Sequence, residues 1–136
     1  MVVCVAVDDN FGMMFNNRRQ SRDRVLCEHL LTFGSGSGLY MNEYSAKLFS
    51  DCDDTAVRAD ERFLENAGED DVCFVENMAL SEYKDKIGKF ILFKWNKVYP
   101  ADFYLDVCPA DLGKCLTSRY ELEGSSHERI TVEVWE

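Results

Sequence analysis

Residues Val2–Val7 are apolar without a break and mostly β-branched, and the run stops at Asp8, Asp9, Asn10, Phe11 and Gly12. A strand with no polar alternate positions has no face to offer to water, so it belongs inside a sheet that is covered on both sides. The aspartates, asparagine and glycine that follow deliver it into a turn or loop. A chain that opens this way must build its sheet outward from a central first strand.

The cover comes next in the chain. After a polar, Arg-rich stretch over residues 16–22, Val25, Leu26, His29, Leu30 and Phe33 recur at helical spacing, with Ser21 as the expected N-cap and Gly34 as the stop. Residues 34–38 alternate Gly and Ser and make a flexible connection of ordinary αβ length. This run is not a phosphate loop, because it follows a helix and lacks the closing Lys-Ser/Thr. Residues 39–41 then read as a strand and 43–50 as a short helix, with a turn at Asp51, Asp53 and Asp54. Residues 55–59 read as a strand and 61–67 as two helical turns stopped by Gly68. Residues 72–75 read as a buried strand, 78–86 as a helix and 89–95 as a longer strand.

The final third lacks helical spacing. Residues 99–107, 114–120 and 130–135 show alternation or aromatic enrichment, which reads as antiparallel strands finishing one edge. The whole pattern over residues 1–136 is one α/β domain: a mixed, mainly parallel twisted sheet with helices on both faces and an antiparallel C-terminal edge. There is no internal repeat, low-complexity tract or heptad pattern.

Charge narrows the partners. Fifteen Lys and Arg against 25 Asp and Glu leave a net charge of −10, a field that repels nucleic acid and anionic membrane surfaces. No basic leader precedes the short apolar start, so neither a secretory signal nor a membrane span is expected, and the protein reads as cytoplasmic. Cys4, Cys27, Cys52, Cys73, Cys108 and Cys115 form no C-x-x-C pair, and with two histidines in the chain no zinc site is expected. Buried free thiols are the expectation. The same shortage of histidine speaks against a dinuclear metallohydrolase.

Several phrases, taken in order, resemble the dihydrofolate reductase family. Residues 1–15 are similar to its first strand and following loop, and Asp23, eleven positions after Gly12, stands near where the family places its active-site acid. Phe74, Val75, Glu76 and Asn77, followed by Tyr83 and by Phe90, Ile91, Leu92 and Phe93, resemble its strand, glycine pair, helix and strand. Residues 99–104 resemble its Asp-Thr-aromatic segment, and residues 116–118 and 125–127 its closing hairpin and loop. The resemblance spans nearly the full length and implies that family's fold, a cleft for a pterin and a groove for NADPH.

Both ends of that implied site are altered. The chain is short between Asp51 and Val72, where the family's adenosine-binding part gains a strand and a helix. Glu76 and Asn77 replace the glycine pair that would let backbone N–H groups approach a pyrophosphate, and Asn42 and Glu43 replace a Gly-Arg pair. A carboxylate about 5 Å from a phosphate costs on the order of 1 to 3 kcal/mol in a half-solvated cleft. These changes argue against NADPH as a cofactor. At the substrate end Arg18, Cys27 and Phe103 stand where the resemblance implies a tryptophan, an aromatic and a threonine beside the acid. Arginines 18, 19, 22 and 24 are expected to lower the pKa of Asp23 rather than raise it as a general acid requires.

The candidate residues follow. Asp23 and His127 are the catalytic candidates, His127 being one of two groups that titrate near neutrality or else a structural loop histidine. Arg18, Arg19 and Arg22 read as an anion site at the cleft mouth or as a solvated run paired with acids. Glu76 and Asn77 read as a new polar centre in the groove or as caps for the helix expected from residue 78. Trp95, Tyr99, Phe103 and Tyr104 read as sheet-packing aromatics, a stacking face or a contact between copies of the chain. The expected function is small-ligand or partner binding in a diverged reductase cleft. The alternatives are an NADPH-dependent pterin reductase, or a hydrolase or nuclease using the arginines and His127.

Overall fold

The structure is a computed structural model that describes residues 1–52 and 56–136; Asp53, Asp54 and Thr55, to which part of a turn and the start of a strand were assigned above, lie outside the described residues. Strand β1 (Val2–Val7) pairs in parallel with β6 (Val72–Phe74) on one side and β7 (Lys89–Lys94) on the other, which is the central position its composition demands. Beyond β6 lie β4 (Leu39–Met41) and β5 (Val57–Ala59), also parallel. Beyond β7 lie β10 (Ile130–Trp135) and β9 (Leu116–Leu122), both antiparallel. Among the described residues the sheet has seven strands in the order β5-β4-β6-β1-β7-β10-β9.

Alternation along the central strands divides the core in two. Val3, Val5 and Val7 of β1 join Phe90 and Leu92 of β7 on one face, while Cys4, Ile91 and Phe93 point to the other. The second of these faces is covered by α1 (Arg24–Phe33) through Leu26, Cys27 and Leu30, and by Leu48 and Phe49 of the 3₁₀ turn Lys47–Phe49 that follows α2 (Glu43–Ala46). The first face receives Phe63 and Leu64 of α3 (Phe63–Asn66) together with Leu80. A fully buried Leu or Phe contributes roughly 1.5 to 3 kcal/mol relative to exposure, so the central strands and α1 carry most of the stabilisation. The expected α/β class, parallel centre and antiparallel C-terminal edge are present.

Other boundaries differ, for local reasons. The helix expected over 78–86 is a 3₁₀ segment, Ser81–Lys86, at whose start the Asp106 carboxylate accepts from the N–H groups of Leu80 (2.8 Å) and Ser81 (3.0 Å). The strand expected over 99–107 shrinks to β8 (Phe103–Tyr104). It leaves the main sheet and pairs with β2 (Gly12–Phe15), which also pairs with β3 (Arg18–Arg19). Residues 12–19, expected as loop, thus form a small sheet above the carboxyl ends of β1, β6 and β7. Asp8, buried, ties it down by accepting from the N–H of Gly12 (2.7 Å), the N–H of Tyr99 (3.1 Å) and the side chain of Gln20 (3.2 Å). At Gly12 a Cβ would fall 2.6 Å from both Ala101 Cβ and Gln20 Nε2, so no larger residue fits.

Candidate functional site

The segment that descends from the small sheet ends at Asp23, which caps α1: its backbone is extended and its carboxylate accepts from Val25 N–H at 2.9 Å. Ser21, the expected N-cap, stands two residues too early for that bond. Asp23 has a second set of donors from the loop between β9 and β10. Oδ1 accepts from Ser125 N–H (3.0 Å) and Ser125 Oγ (3.1 Å), and Oδ2 from Ser126 N–H (2.8 Å), His127 N–H (3.1 Å) and His127 Nδ1 (3.0 Å). Three successive backbone N–H groups converging on one anion form a nest. Gly124 makes the approach feasible, since a Cβ there would strike the His127 carbonyl and lie 2.7 Å from Asp23 Oδ2.

Burial alone would raise the pKa of Asp23, which is 2% exposed, but hydrogen bonds from Ser125, His127 and Ser126 outweigh it and hold the carboxyl well below the usual range. The direction expected from the arginines is therefore present, with a different cause. An ionised carboxylate only accepts, so His127 carries its ring proton on Nδ1, and Nε2 faces Ser21 Oγ at 3.1 Å and Tyr99 OH at 2.9 Å. The imidazole, itself buried, stacks on Trp95 with ring centroids 4.5 Å apart and planes 25° from parallel.

A second polar cluster lies at the carboxyl end of β6. Glu76, 8% exposed, takes a forked pair from Arg19, Nε to Oε2 at 2.8 Å and the second nitrogen to Oε1 at 3.0 Å. The Arg19 guanidinium also lies 4.6 Å over the Tyr44 ring, and Arg19 N–H donates to Tyr44 OH at 2.9 Å. Asn77 Oδ1 accepts from Asn42 Nδ2 at 2.8 Å, while Asn42 caps α2 through Ser45 N–H. Glu76 and Asn77 do not cap the segment that follows them, because that segment starts at Ser81, and their side chains are already paired across the groove. Glu43 is exposed and meets Glu61 through its N–H.

The structure thus brings Asp23 and His127 together and, separately, Arg19, Glu76 and Asn77. Arg18 is exposed on the small sheet opposite Phe15. Arg22 is exposed at a cavity of about 560 Å³ that is also lined by Arg24, Cys27, Leu48, Cys52 and Ser125. Phe103, assigned above to the acid's threonine position, sits in β8 opposite Met14, and Ser125 supplies the hydroxyl to Asp23 instead. The sequence assigns Ser21 to a cap and Trp95 and Tyr99 to packing, stacking or a contact between copies, and gives Ser125 and Ser126 no role at the site; none of the five is read as a partner of Asp23 or His127. The signal for them was the density of small hydrogen-bonding residues in residues 124–127 together with Ser21 two positions before Asp23.

Cys4, Cys27 and Cys73 are buried free thiols, as expected, with burial pushing Cys27 and Cys73 up to about 12. Cys108 and Cys115 are exposed, contrary to that expectation. Among the described residues no cluster of three His, Cys, Asp or Glu is placed to hold a metal, and no helix is long and apolar enough to cross a membrane. Comparison with protein-family models and with curated proteins finds no match for the chain.

Proposed function

We propose that the chain is a shortened, diverged member of the dihydrofolate reductase-like family that binds a small molecule beside Asp23 and does not perform NADPH-dependent reduction. The observation that carries this reading is the state of Asp23. Both carboxylate oxygens are occupied by donors of the protein itself and the group is 2% exposed, so it has neither a proton nor a free lone pair to offer a pterin ring. The groove at Glu76 supports the same conclusion, because the Arg19–Glu76 pair fills the position where the resemblance implies a glycine pair. A dinucleotide phosphate there would have to break a forked, half-buried ion pair and then face the freed carboxylate.

Beside Asp23 lies a cavity of about 560 Å³ between the start of α1 and residues 125–126. Leu48 and Cys27 give it apolar walls; Glu28, paired with Arg24, and Asp51 also line it, and among the described residues Arg22 has no acidic partner within ion-pair distance. That combination suits a compact molecule with an apolar body and one anionic group. A thermal-shift screen of small carboxylates, nucleotides and folates, followed by calorimetry, tests the reading, since a ligand of the native state raises the midpoint by mass action. The expected result is stabilisation by an amphiphilic anion that is lost in Arg22→Ala. Saturable tight binding of NADPH, or dihydrofolate-dependent NADPH oxidation abolished by Asp23→Asn, would overturn it.

A further inference from the structure

We propose that Ser21, His127 and Asp23 act as nucleophile, base and orienting carboxylate in the hydrolysis of small carboxylic esters. The contacts form one line, from Ser21 Oγ to His127 Nε2 at 3.1 Å and from His127 Nδ1 to Asp23 Oδ2 at 3.0 Å. Such a constellation is recognised by geometry and roles rather than by order in the chain. Here the nucleophile and the carboxylate come from the segment before α1 and the base from the β9–β10 loop, 104 positions away from Asp23.

Three features prepare the base. Asp23 accepts from the ring and thereby fixes the proton on Nδ1, leaving the Nε2 lone pair toward the Ser21 and Tyr99 hydroxyls, at 3.1 and 2.9 Å. The ring cannot turn freely, because it stacks on Trp95 and its own backbone N–H is bound to Asp23. Ser21 is half-buried, and its chain neighbour Gln20 and its hydroxyl neighbour Tyr99 line a hollow of about 540 Å³ together with Phe15, Arg18 and Pro100, the approach we assign to the acyl group.

The chemistry balances without a cofactor. Ser21 Oγ attacks the ester carbonyl carbon while its proton passes to His127 Nε2. The tetrahedral oxyanion collapses, the acyl C–O bond breaks, and the Nε2 proton goes to the leaving alkoxide. Water then attacks the acyl-serine with His127 again as base, giving a carboxylic acid and free Ser21. The Tyr99 hydroxyl lies 2.9 Å from Nε2 and 3.5 Å from Ser21 Oγ; once Nε2 has taken the Ser21 proton it no longer accepts from Tyr99, whose O–H is then released to turn to the oxyanion.

Two measurements on the full chain decide the matter: hydrolysis of p-nitrophenyl acetate, and labelling by a fluorophosphonate probe read by peptide mass spectrometry. The expected result is a single adduct on Ser21, absent in Ser21→Ala, with turnover lost in the same variant. His127→Gln should slow labelling by about 10²-fold or more. Asp23→Asn, which sets an amide against Nδ1, should lower the rate by up to about 10⁴-fold and change the shape of the pH–rate profile, which a purely structural role for Asp23 would leave alone. Tyr99→Phe should cost about 10²-fold. No adduct on Ser21 in a protein that melts cooperatively, equal labelling of parent and His127→Gln, or turnover unchanged by Ser21→Ala would each overturn the proposal. Should His127→Gln fail to fold, Ser21→Cys decides: an introduced thiol alkylated no faster than Cys108 and Cys115 refutes activation at this position.

Discussion

Glu76 and Asp23, both buried at the same end of the sheet, are held in opposite ways. Glu76 is met by a cation, Arg19, which also stacks on Tyr44. Asp23 is met by backbone N–H groups, a serine hydroxyl and an imidazole, with no Lys or Arg side chain among its partners in the described residues. A forked ion pair is complete in itself and closes the groove it occupies. A carboxylate satisfied by uncharged donors keeps its charge, and that charge orients the ring that Ser21 and Tyr99 touch. The first arrangement fills space, whereas the second transmits polarity to a hydroxyl.

The contrast can be broken by substitution. The largest effect is expected for Asp23→Ala, which strands the N–H groups of Ser125, Ser126 and His127, the imidazole N–H and the cap of α1 at once. Unsatisfied buried groups cost about 1 to 3 kcal/mol each, partly relieved by water, so a loss of about 3 to 5 kcal/mol is expected in urea melts. Glu76→Ala leaves Arg19 half-buried without a partner and should cost about 2 to 3 kcal/mol. The double change Arg19→Met with Glu76→Leu should return to within about 1 kcal/mol of the parent, because an ion pair can be replaced by apolar packing. No paired substitution is expected to rescue Asp23→Ala, whose partners are mostly main chain. If the Arg19 and Glu76 double variant is no better than the Glu76 single, the two sites are not different in kind.

Acid sharpens the contrast further. Asp23, Asp8 and Asp106 are all held below the ordinary carboxylate value; burial opposes this in each, and hydrogen bonds to backbone N–H groups outweigh it. A depressed carboxyl contributes stability that is complete above its unfolded pKa, near 4, and is lost as the pH falls toward the folded value. Unfolding free energy should therefore be flat in this respect above about pH 5 and decline below about pH 4. Asp23→Asn should flatten the decline more than Asp8→Asn, since only Asp23 is depressed so strongly.

The smallest effect is expected at His29. Burial lowers its pKa, so its neutral form is the folded one, and its contribution is present above the unfolded value near 6.5 and fades as the pH drops below it. The ring packs edge-on against Phe33 and Phe93, and Nε2 lies 2.6 Å from Tyr120 OH. His29→Gln should remove a shallow slope between pH 7 and 5 in melts and leave ester turnover untouched. A change in turnover would mean that the two histidines are coupled through the sheet.

Much of the scaffold was legible from local pattern. Val2–Val7 could only be central, Leu26 and Leu30 could only face a sheet, and Gly34 stops the helix where expected. Residues 78–86 have helical spacing, yet no residue of Ser81–Lys86 is buried, and the segment's start is tied to Asp106, 25 to 26 positions away, which no local pattern announces. Residues 12–19 misled because their strand partner, β8, is remote. At the site, Asp23 and His127 were identifiable as residues but not as partners. Trp95 and Tyr99 read as packing aromatics because nothing in their neighbourhood announces an imidazole between them.

Sequence alone determined the apolar run that had to lie at the centre, the helix that covers it and the small residues at 124–126 that permit a tight loop, since each depends on a few neighbouring side chains and on backbone sterics. The tertiary structure decided which donors reach Asp23, that Arg19 neutralises Glu76 and that Ser21 faces His127. Those pairings join residues 57 to 106 positions apart; those of Asp23 and Ser21 exist only once β10 has closed against β7 and carried its preceding loop over the start of α1, and that of Arg19 only once β3 has met the end of β6. Hydrogen bonds act over about 3 Å, so their partners are set by the packing of whole elements and not by the order of residues along the chain.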